Sequence, residues 1–327
     1  MRKENIYDEI QKDIMKADIS ENDKNKMLKN VMKLKDNKIN IMITGATGCG
    51  KSSTINAMFD TEVAKVGVGV DPETMEIEKY ELDNLILWDT PGLGDGKEAD
   101  NRHAKNIIQK LSEVDENGNA LIDLVLVILD GGSRDLGTSY ELINNVIIPN
   151  LGEGKEDRIL VVINQADMAM KGRNWDYEKN EPKQQLVDFL EDKVQSVKKR
   201  VYEATGVEIE PIYYSAGYKD EGGEQTRPYN LSKLLYYIVK ATPSEKRIVY
   251  VNNINKDTEM WKDDDKLLNY EEKTKKTIFQ SVIDGAAKGA EIGEDIGGIF
   301  GETGRRIGHA VGKFLGGVKG LVEGLFG

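Results

Sequence analysis

The sequence predicts an α/β domain around a mostly parallel sheet, on three observations. Short apolar runs of strand length recur between residues 37 and 245, amphipathic helical patterns lie between them, and the first run leads straight into the glycine-rich stretch "TGATGCGKSS". Runs that are apolar throughout suit strands covered by helices on both faces.

Taken in order, residues 1–36 are rich in lysine and glutamate, with apolar positions at Ile6, Ile10 and Ile14 and then Met27, Leu28, Val31 and Leu34. That spacing predicts two short amphipathic helices forming an arm packed on the main domain. The second is started by the capping pattern Ser20-x-x-Asp23. "KINIMITG" predicts a strand that ends in the glycine loop. "MEIEKYELDNLILWD" predicts a hairpin turned at Asp83-Asn84, and "LIDLVLVIL", "RILVVIN" and "EPIYYSA" predict three more buried strands. Between the last two, Leu186, Phe189, Leu190, Val194, Val197 and Val201 mark a helix. Residues 246–276 are charged and read as a linker or an exposed helix, and 277–327 form a glycine-rich tail.

Composition narrows the function classes. With 39% hydrophobic and 31% charged residues the chain can bury a core and remain soluble. A net charge of −12 argues against broad nucleic-acid binding, which needs a basic face. The start "MRKENIYDEI" has no signal-peptide core, and "LVLVIL" is too short to span a bilayer. One cysteine, Cys49, cannot form an internal disulfide. These features lead us to expect a cytoplasmic protein.

The glycine loop fits two chemistries. Thr44-Gly45-Ala46-Thr47-Gly48 resembles a dinucleotide-binding turn, but that reading needs a small residue where Lys51 stands. Gly45-x-x-x-x-Gly50-Lys51-Ser52 is a nucleoside-triphosphate P-loop, and it needs that lysine. Backbone N–H groups from Ala46, Thr47, Gly48, Cys49, Gly50, Lys51 and Ser52 would cradle phosphates, with Gly45 and Ser53 also counted in the nucleotide site. Lys51 would reach the β- and γ-phosphates, and Ser52 would ligate Mg²⁺. Three further signals follow, each at the end of a strand. In "WDTPGLGD", Asp89 would hold Mg²⁺ through water and the Gly92 N–H would meet the γ-phosphate. In "NQAD", Asn164 and Asp167 could read a guanine edge. In "YSAG", Ser215 and the Ala216 backbone would close over the base.

With four motifs in this order, residues 38–245 resemble a GTPase of the translation-factor-related class, near its Era-like and septin-like branches. "GATGCGKSSTIN" with "DTPGLGD" is most similar to bacterial relatives of the immunity-related and AIG1/Toc-type GTPases. The resemblance implies a P-loop GTPase fold with six strands, one of them antiparallel, and GTP or GDP with Mg²⁺ as cofactors. It also implies a switch threonine that contacts Mg²⁺ and the γ-phosphate. Thr74 is the best match and Thr61 the runner-up, in a segment loosened by Gly67 and Gly69.

Two positions depart from that pattern. Gln165 stands where the guanine motif carries lysine, while Asp167 keeps the charge-assisted part of the recognition, so GTP is favoured over ATP. Leu93 stands where many GTPases carry the glutamine that orients water, which implies hydrolysis that is slow without self-assembly or a partner. Arg102 and Arg134 are candidate charge stabilisers, in cis or across a dimer, and His103 reads as an exposed helix residue.

In the tail, glycines recur at 285, 289, 293, 297 and 301, then from 304 to 324 in steps of four. Such spacing places them along one helical stripe. Eleven glycines cost a helix roughly 10 kcal/mol against alanine, so a helical tail must be held by close packing. With charges such as Glu294, Asp295, Arg305, Arg306 and Lys313, it suits self-association or conditional interfacial membrane binding better than a permanent span. The expected function is a GTP-hydrolysing switch that controls homo-oligomerisation or peripheral membrane association through this tail. The rivals are a GTP-binding scaffold with negligible hydrolysis and an Era-like ribosome-associated factor.

Overall fold

The computed structural model describes residues 6–59, 77–94, 96–218, 226–290 and 296–314. Two helices lead, α1 (Ile6–Lys16) and α2 (Glu21–Asp36), and the Ser20 hydroxyl caps the second by accepting the Asp23 N–H at 3.1 Å. The central domain follows as β1 (Ile39–Gly45), α3 (Lys51–Met58), β2 (Glu78–Leu82), β3 (Leu85–Asp89), α4 (Lys97–Ser112) and β4 (Leu124–Asp130). It continues with α5 (Gly137–Glu141), which runs on through a π-helical turn at Leu142–Ile147, and then β5 (Ile159–Asn164). A small ribbon of β6 (Trp175–Asp176) and β7 (Glu181–Pro182) precedes α6 (Gln184–Thr205), β8 (Ile212–Tyr213) and α7 (Leu231–Ala241). The chain closes with α8 (Tyr250–Asn253), α9 (Tyr270–Ala287), α10 (Ile296–Ile299) and α11 (Gly301–Phe314).

The main sheet has six strands in the order β2-β3-β1-β4-β5-β8. Only β2 runs antiparallel, joined to β3 by a tight turn in which Asn84 adopts a left-handed φ of 60°. The fold class expected from the sequence is therefore the one observed. Along β1, β4 and β5 alternate side chains feed two separate cores. Ile39, Ile41, Ile43, Leu124, Leu126, Ile128, Leu160 and Val162 face the layer of α1, α2, α3, α7 and α9. Met42, Val125, Val127, Leu129, Ile159, Val161 and Ile163 face α4, the π-helical turn and α6. This period of two, with both faces covered, is why these strands read as unbroken apolar runs.

Register places the chemistry. Ile43 pairs with Asp89, Gly45 with Ile128, and Asp130 with Asn164, so the C-terminal strand ends come level on either side of β1. The chain crosses from β1 to β3 on one side and to β4 on the other, which opens a crevice above β1.

Two boundaries differ from the expectation. Residues 246–276 do not form a linker, because Ile248, Val249, Tyr250, Val251, Ile254 and Trp261 are buried in the first core and Tyr270 is buried as well. Their neighbouring charges are absorbed locally. Asp265 pairs with the buried Lys233 at 2.6 Å, Asp264 accepts from Ser232, and Asp263 accepts from Asn180, holding the acidic run at the start of α7. The tail does not begin at 277 either, since α9 runs through that position and buries Ile278, Val282, Ile283 and Ala286. At Gly285 a Cβ would lie 3.1 Å from Leu34 of α2, so this glycine permits a close helix–helix approach. Among the described residues no helix is long and apolar enough to cross a membrane.

Candidate functional site

Glycine-loop geometry follows from three glycines, two that a side chain would obstruct and one whose backbone would strain it. Gly48 and Gly50 have φ of 78° and 90°, and a Cβ on Gly50 would fall 2.2 Å from the Asn164 amide nitrogen. A Cβ on Gly45 would meet the Ile128 carbonyl at 2.2 Å. Gly50 hands the chain to α3, whose first residues are Lys51, Ser52 and Ser53, so free helix N–H groups face the crevice. The Lys51 ammonium lies 3.4 Å from both the Gly45 and Ala46 carbonyls, folded over the loop mouth. Cys49 is fully buried, and burial pushes its thiol up to about 11, so it is a packing residue rather than a reactive one.

Asp89 ends β3 beside this loop. Its Oδ1 is buried without a partner among the described residues, and burial raises its carboxyl to about 6 even though Lys51 draws it down. A buried, unpaired carboxylate oxygen at a helix N-terminus is what a Mg²⁺–phosphate site needs. Such ions use one or two carboxylates plus substrate phosphates and water. Asp89 and Ser52 are the residues that would hold Mg²⁺ together with a nucleotide. Thr74 and Thr61 lie outside the described residues.

The raised carboxyl has a measurable consequence. Between about pH 4 and pH 6 the folded protein holds a proton on Asp89 that the unfolded chain releases, so stability falls as pH rises through that window. Without Mg²⁺ and nucleotide, Asp89→Asn is expected to stabilise the protein by roughly 1–3 kcal/mol at pH 7 and to flatten that slope. Urea unfolding at pH 4 and pH 7 measures both, and equal pH dependence in wild type and variant would refute it.

The "PGLG" segment closes down on the loop. Leu93 is buried and bridges to Ala46, with its N–H on the Gly45 carbonyl at 3.3 Å and its carbonyl accepting the Thr47 N–H at 3.0 Å. Gly92 presses so closely on Thr47 that a Cβ would sit 2.3 Å from the threonine hydroxyl. His103, expected to be exposed, is instead 2% exposed, and its Nδ1 lies 3.2 Å from the Gly92 carbonyl. It occupies the inward stripe of α4 with Ile107 and Leu111, at successive steps of four residues, which the charged composition of that helix concealed. Arg134 is exposed in the loop after β4.

On the far side of the loop, Asn164 joins three segments. Its amide donates to the Cys49 carbonyl at 2.9 Å and its oxygen accepts the Ala216 N–H at 2.9 Å. These bonds use one of the amide's two N–H groups, so Asn164 and Asp167 both remain candidates to read a base. The Ser215 hydroxyl holds one oxygen of Asp167 at 2.6 Å. Gln165, at a left-handed φ of 58°, donates to the Gly48 carbonyl at 2.8 Å, so the glutamine reaches the glycine loop from its place after Asn164. Sequence reasoning missed three supports. Tyr214 sits fully buried with its hydroxyl 2.6 Å from Thr54, whose Oγ1 donates to the Gly50 carbonyl. Lys193 reaches from α6 to the carbonyls of Asp130, Gly131 and Ser133, fixing the loop after β4.

The fold is that of a P-loop GTPase domain. Residues 40–165 match the family model described as 50S ribosome-binding GTPase. The uncharacterised protein YfjP of Escherichia coli (strain K12) is 31% identical over 133 residues, 39% of this chain and 42% of that one. A second uncharacterised protein of that strain, YkfA, is 29% identical over 157 residues, 47% of this chain and 50% of its own length. The chain therefore spans about half the length of these curated relatives. Among solved structures, Toc33 from Arabidopsis thaliana in complex with Mg²⁺ and GMPPNP is 17% identical. It covers 75% of this chain and 99% of that one, with a TM-score of 0.42.

Proposed function

We propose that this protein is a GTP-hydrolysing switch whose nucleotide state governs self-assembly or membrane association through its glycine-rich C-terminal segment. In the reaction, a water oxygen attacks the γ-phosphorus and the bond to the β-phosphate oxygen breaks, leaving GDP and phosphate. Lys51 and the loop N–H groups meet the charge that develops on the phosphate oxygens. Mg²⁺, held through Ser52 and Asp89, would neutralise the same charge. Leu93 orients no water, so turnover is slow until assembly or a partner supplies that group, with the exposed Arg134 a candidate to act across an interface.

One observation carries the link from nucleotide to tail. The segment after α8 grips the end of α3, since the Asn255 N–H meets the Met58 carbonyl at 2.8 Å, its amide meets Ala57, and Ile254 bridges to Phe59. Met58 and Phe59 immediately precede the switch segment that contains Thr74. The same stretch, through α8 and the turn at Thr258–Trp261, packs against α11. There Thr303 donates its N–H and hydroxyl to the buried Asp13 of α1, both at 2.7 Å, Arg306 pairs with Glu9, and Phe300 and Ile307 are buried. A shift at the end of α3 therefore has a packed route to the clasp that holds the tail.

This clasp gives the test. Asp13→Leu should free the segment and give association with anionic vesicles, or self-association, that no longer depends on nucleotide. A chain ending at residue 314 should associate in neither state. Vesicle co-sedimentation and sedimentation velocity with GDP or a non-hydrolysable GTP analogue read both. Deletion from residue 277 is unsuitable, because it removes the core of α9. If the chain ending at 314 associates as the full chain does, the tail is not the effector. A GTP-binding scaffold with negligible hydrolysis is the second reading, favoured by the burial of Leu93 against Ala46. Phosphate release that stays flat with protein concentration would select it.

A further inference from the structure

His103 is a buried polar group that the reading above does not use, and its surroundings are specific. Within the P-G-L-G segment, α4 holds both glycines. The Gly94 N–H donates to Asp100 Oδ1 at 2.9 Å, and the Gly92 carbonyl lies 3.2 Å from His103 Nδ1. Asp100 and His103 are three residues apart, hence on one face of α4. Between the two held glycines, the Leu93 side chain is buried in the same core as Ile107 and Leu111. A carbonyl oxygen can only accept, so Nδ1 is the donor, and in the neutral ring Nε2 is left as an acceptor. That Nε2 is buried and finds no partner among the described residues. An apolar residue would fill this place without such a penalty, and the remaining use of the imidazole is its bond to Gly92.

Gly92 is the residue whose N–H is assigned to the γ-phosphate. Glycine carries the widest backbone freedom of any residue, so its N–H points in a defined direction only if its other peptide group is held. His103 holds that carbonyl from α4, while the next N–H, that of Leu93, is held by Gly45. We propose that His103 is the positioning residue of the γ-phosphate sensor. Through its Nδ1–H it fixes the Gly92 peptide and so aims the Gly92 N–H, making the distinction between triphosphate and diphosphate depend on α4. This rests on the reading of the site as a GTP site with Gly92 at the γ-phosphate.

The test is the affinity of the full chain, with Mg²⁺, for GDP and for a non-hydrolysable GTP analogue, in wild type, His103→Asn, His103→Gln and His103→Leu. Asparagine can place an N–H near the Nδ1 position, whereas glutamine reaches toward Nε2 and leucine offers no donor. His103→Leu and His103→Gln are expected to bind the analogue about tenfold more weakly, the span of one neutral hydrogen bond, with GDP affinity unchanged. His103→Asn is expected to recover most of that loss. GDP affinity also reports whether each variant is folded, and if the leucine variant is not, the Asn–Gln comparison decides alone. Parallel loss of GDP and analogue, equal behaviour of Asn and Gln, or a gain in analogue affinity would each overturn the proposal. Lys51→Ala is the separate control: undiminished binding of both nucleotides there would sink the GTP-site reading itself, whatever His103 does.

Discussion

Lys51→Ala should lower affinity for GTP and GDP alike by at least about 100-fold while leaving the protein folded. Charge-assisted hydrogen bonds to phosphate contribute about 1.5–3 kcal/mol each, and a lost cation leaves phosphate oxygens facing carbonyls in a partly closed site. Among the described residues the ammonium's hydrogen-bond partners are the Gly45 and Ala46 carbonyls, at 3.4 Å. Among those residues it forms no close ion pair and acts on Asp89 only from a distance, so unfolding free energy should change by less than about 1 kcal/mol. Calorimetric titration with each nucleotide, beside urea unfolding without nucleotide, separates the two. A loss of affinity matched by a loss of stability would place Lys51 in the scaffold instead.

Asn164→Ala should produce the largest loss of stability among the site residues, about 2–5 kcal/mol. Its side chain is 2% exposed and satisfies the Cys49 carbonyl on one side and the Ala216 N–H on the other. Truncation leaves both backbone groups without this partner and opens space against Gly50, whose backbone approaches the same amide. Asn164→Asp isolates one half of the bridge. It keeps an acceptor for Ala216 but sets an oxygen against the Cys49 carbonyl, and it should cost nearly as much as alanine. Urea unfolding without nucleotide reads these losses, and a change below about 1 kcal/mol for alanine would show that the glycine loop is held elsewhere.

Much of this site was legible because its motifs are local. A glycine at φ 90° before Lys51, or an Asn–Gln–Ala–Asp run closing a strand, is a short-range solution to a backbone problem, and short-range solutions leave residue-level marks. His103, Tyr214 and Lys193 were not legible. Each acts on a residue distant in sequence: Gly92, Thr54 and the Asp130–Ser133 loop. Histidine in a charged helix such as α4 looks like an exposed residue until the helix is packed. The failure at 246–276 has the same origin. Ile248, Val249, Tyr250 and Trp261 are few among many charges, and only contact with α2, α7 and α9 makes them core.

By itself the sequence determined the α/β architecture, the order of the strands' motifs, the phosphate loop and the acidic residue at the end of β3. Periodicity, glycine placement and turn chemistry are properties of neighbours along the chain. Only the tertiary structure decided that Asn164 also bridges the glycine loop and the Ala216 backbone, and that His103 grips Gly92. It also decided that Thr303 of the glycine-rich region is clasped by Asp13 of this same chain, where the sequence suggested self-association or membrane binding. Each of these depends on which distant segments meet once apolar faces are buried. Burial selects those meetings through the whole core at once, so no single window of sequence contains them.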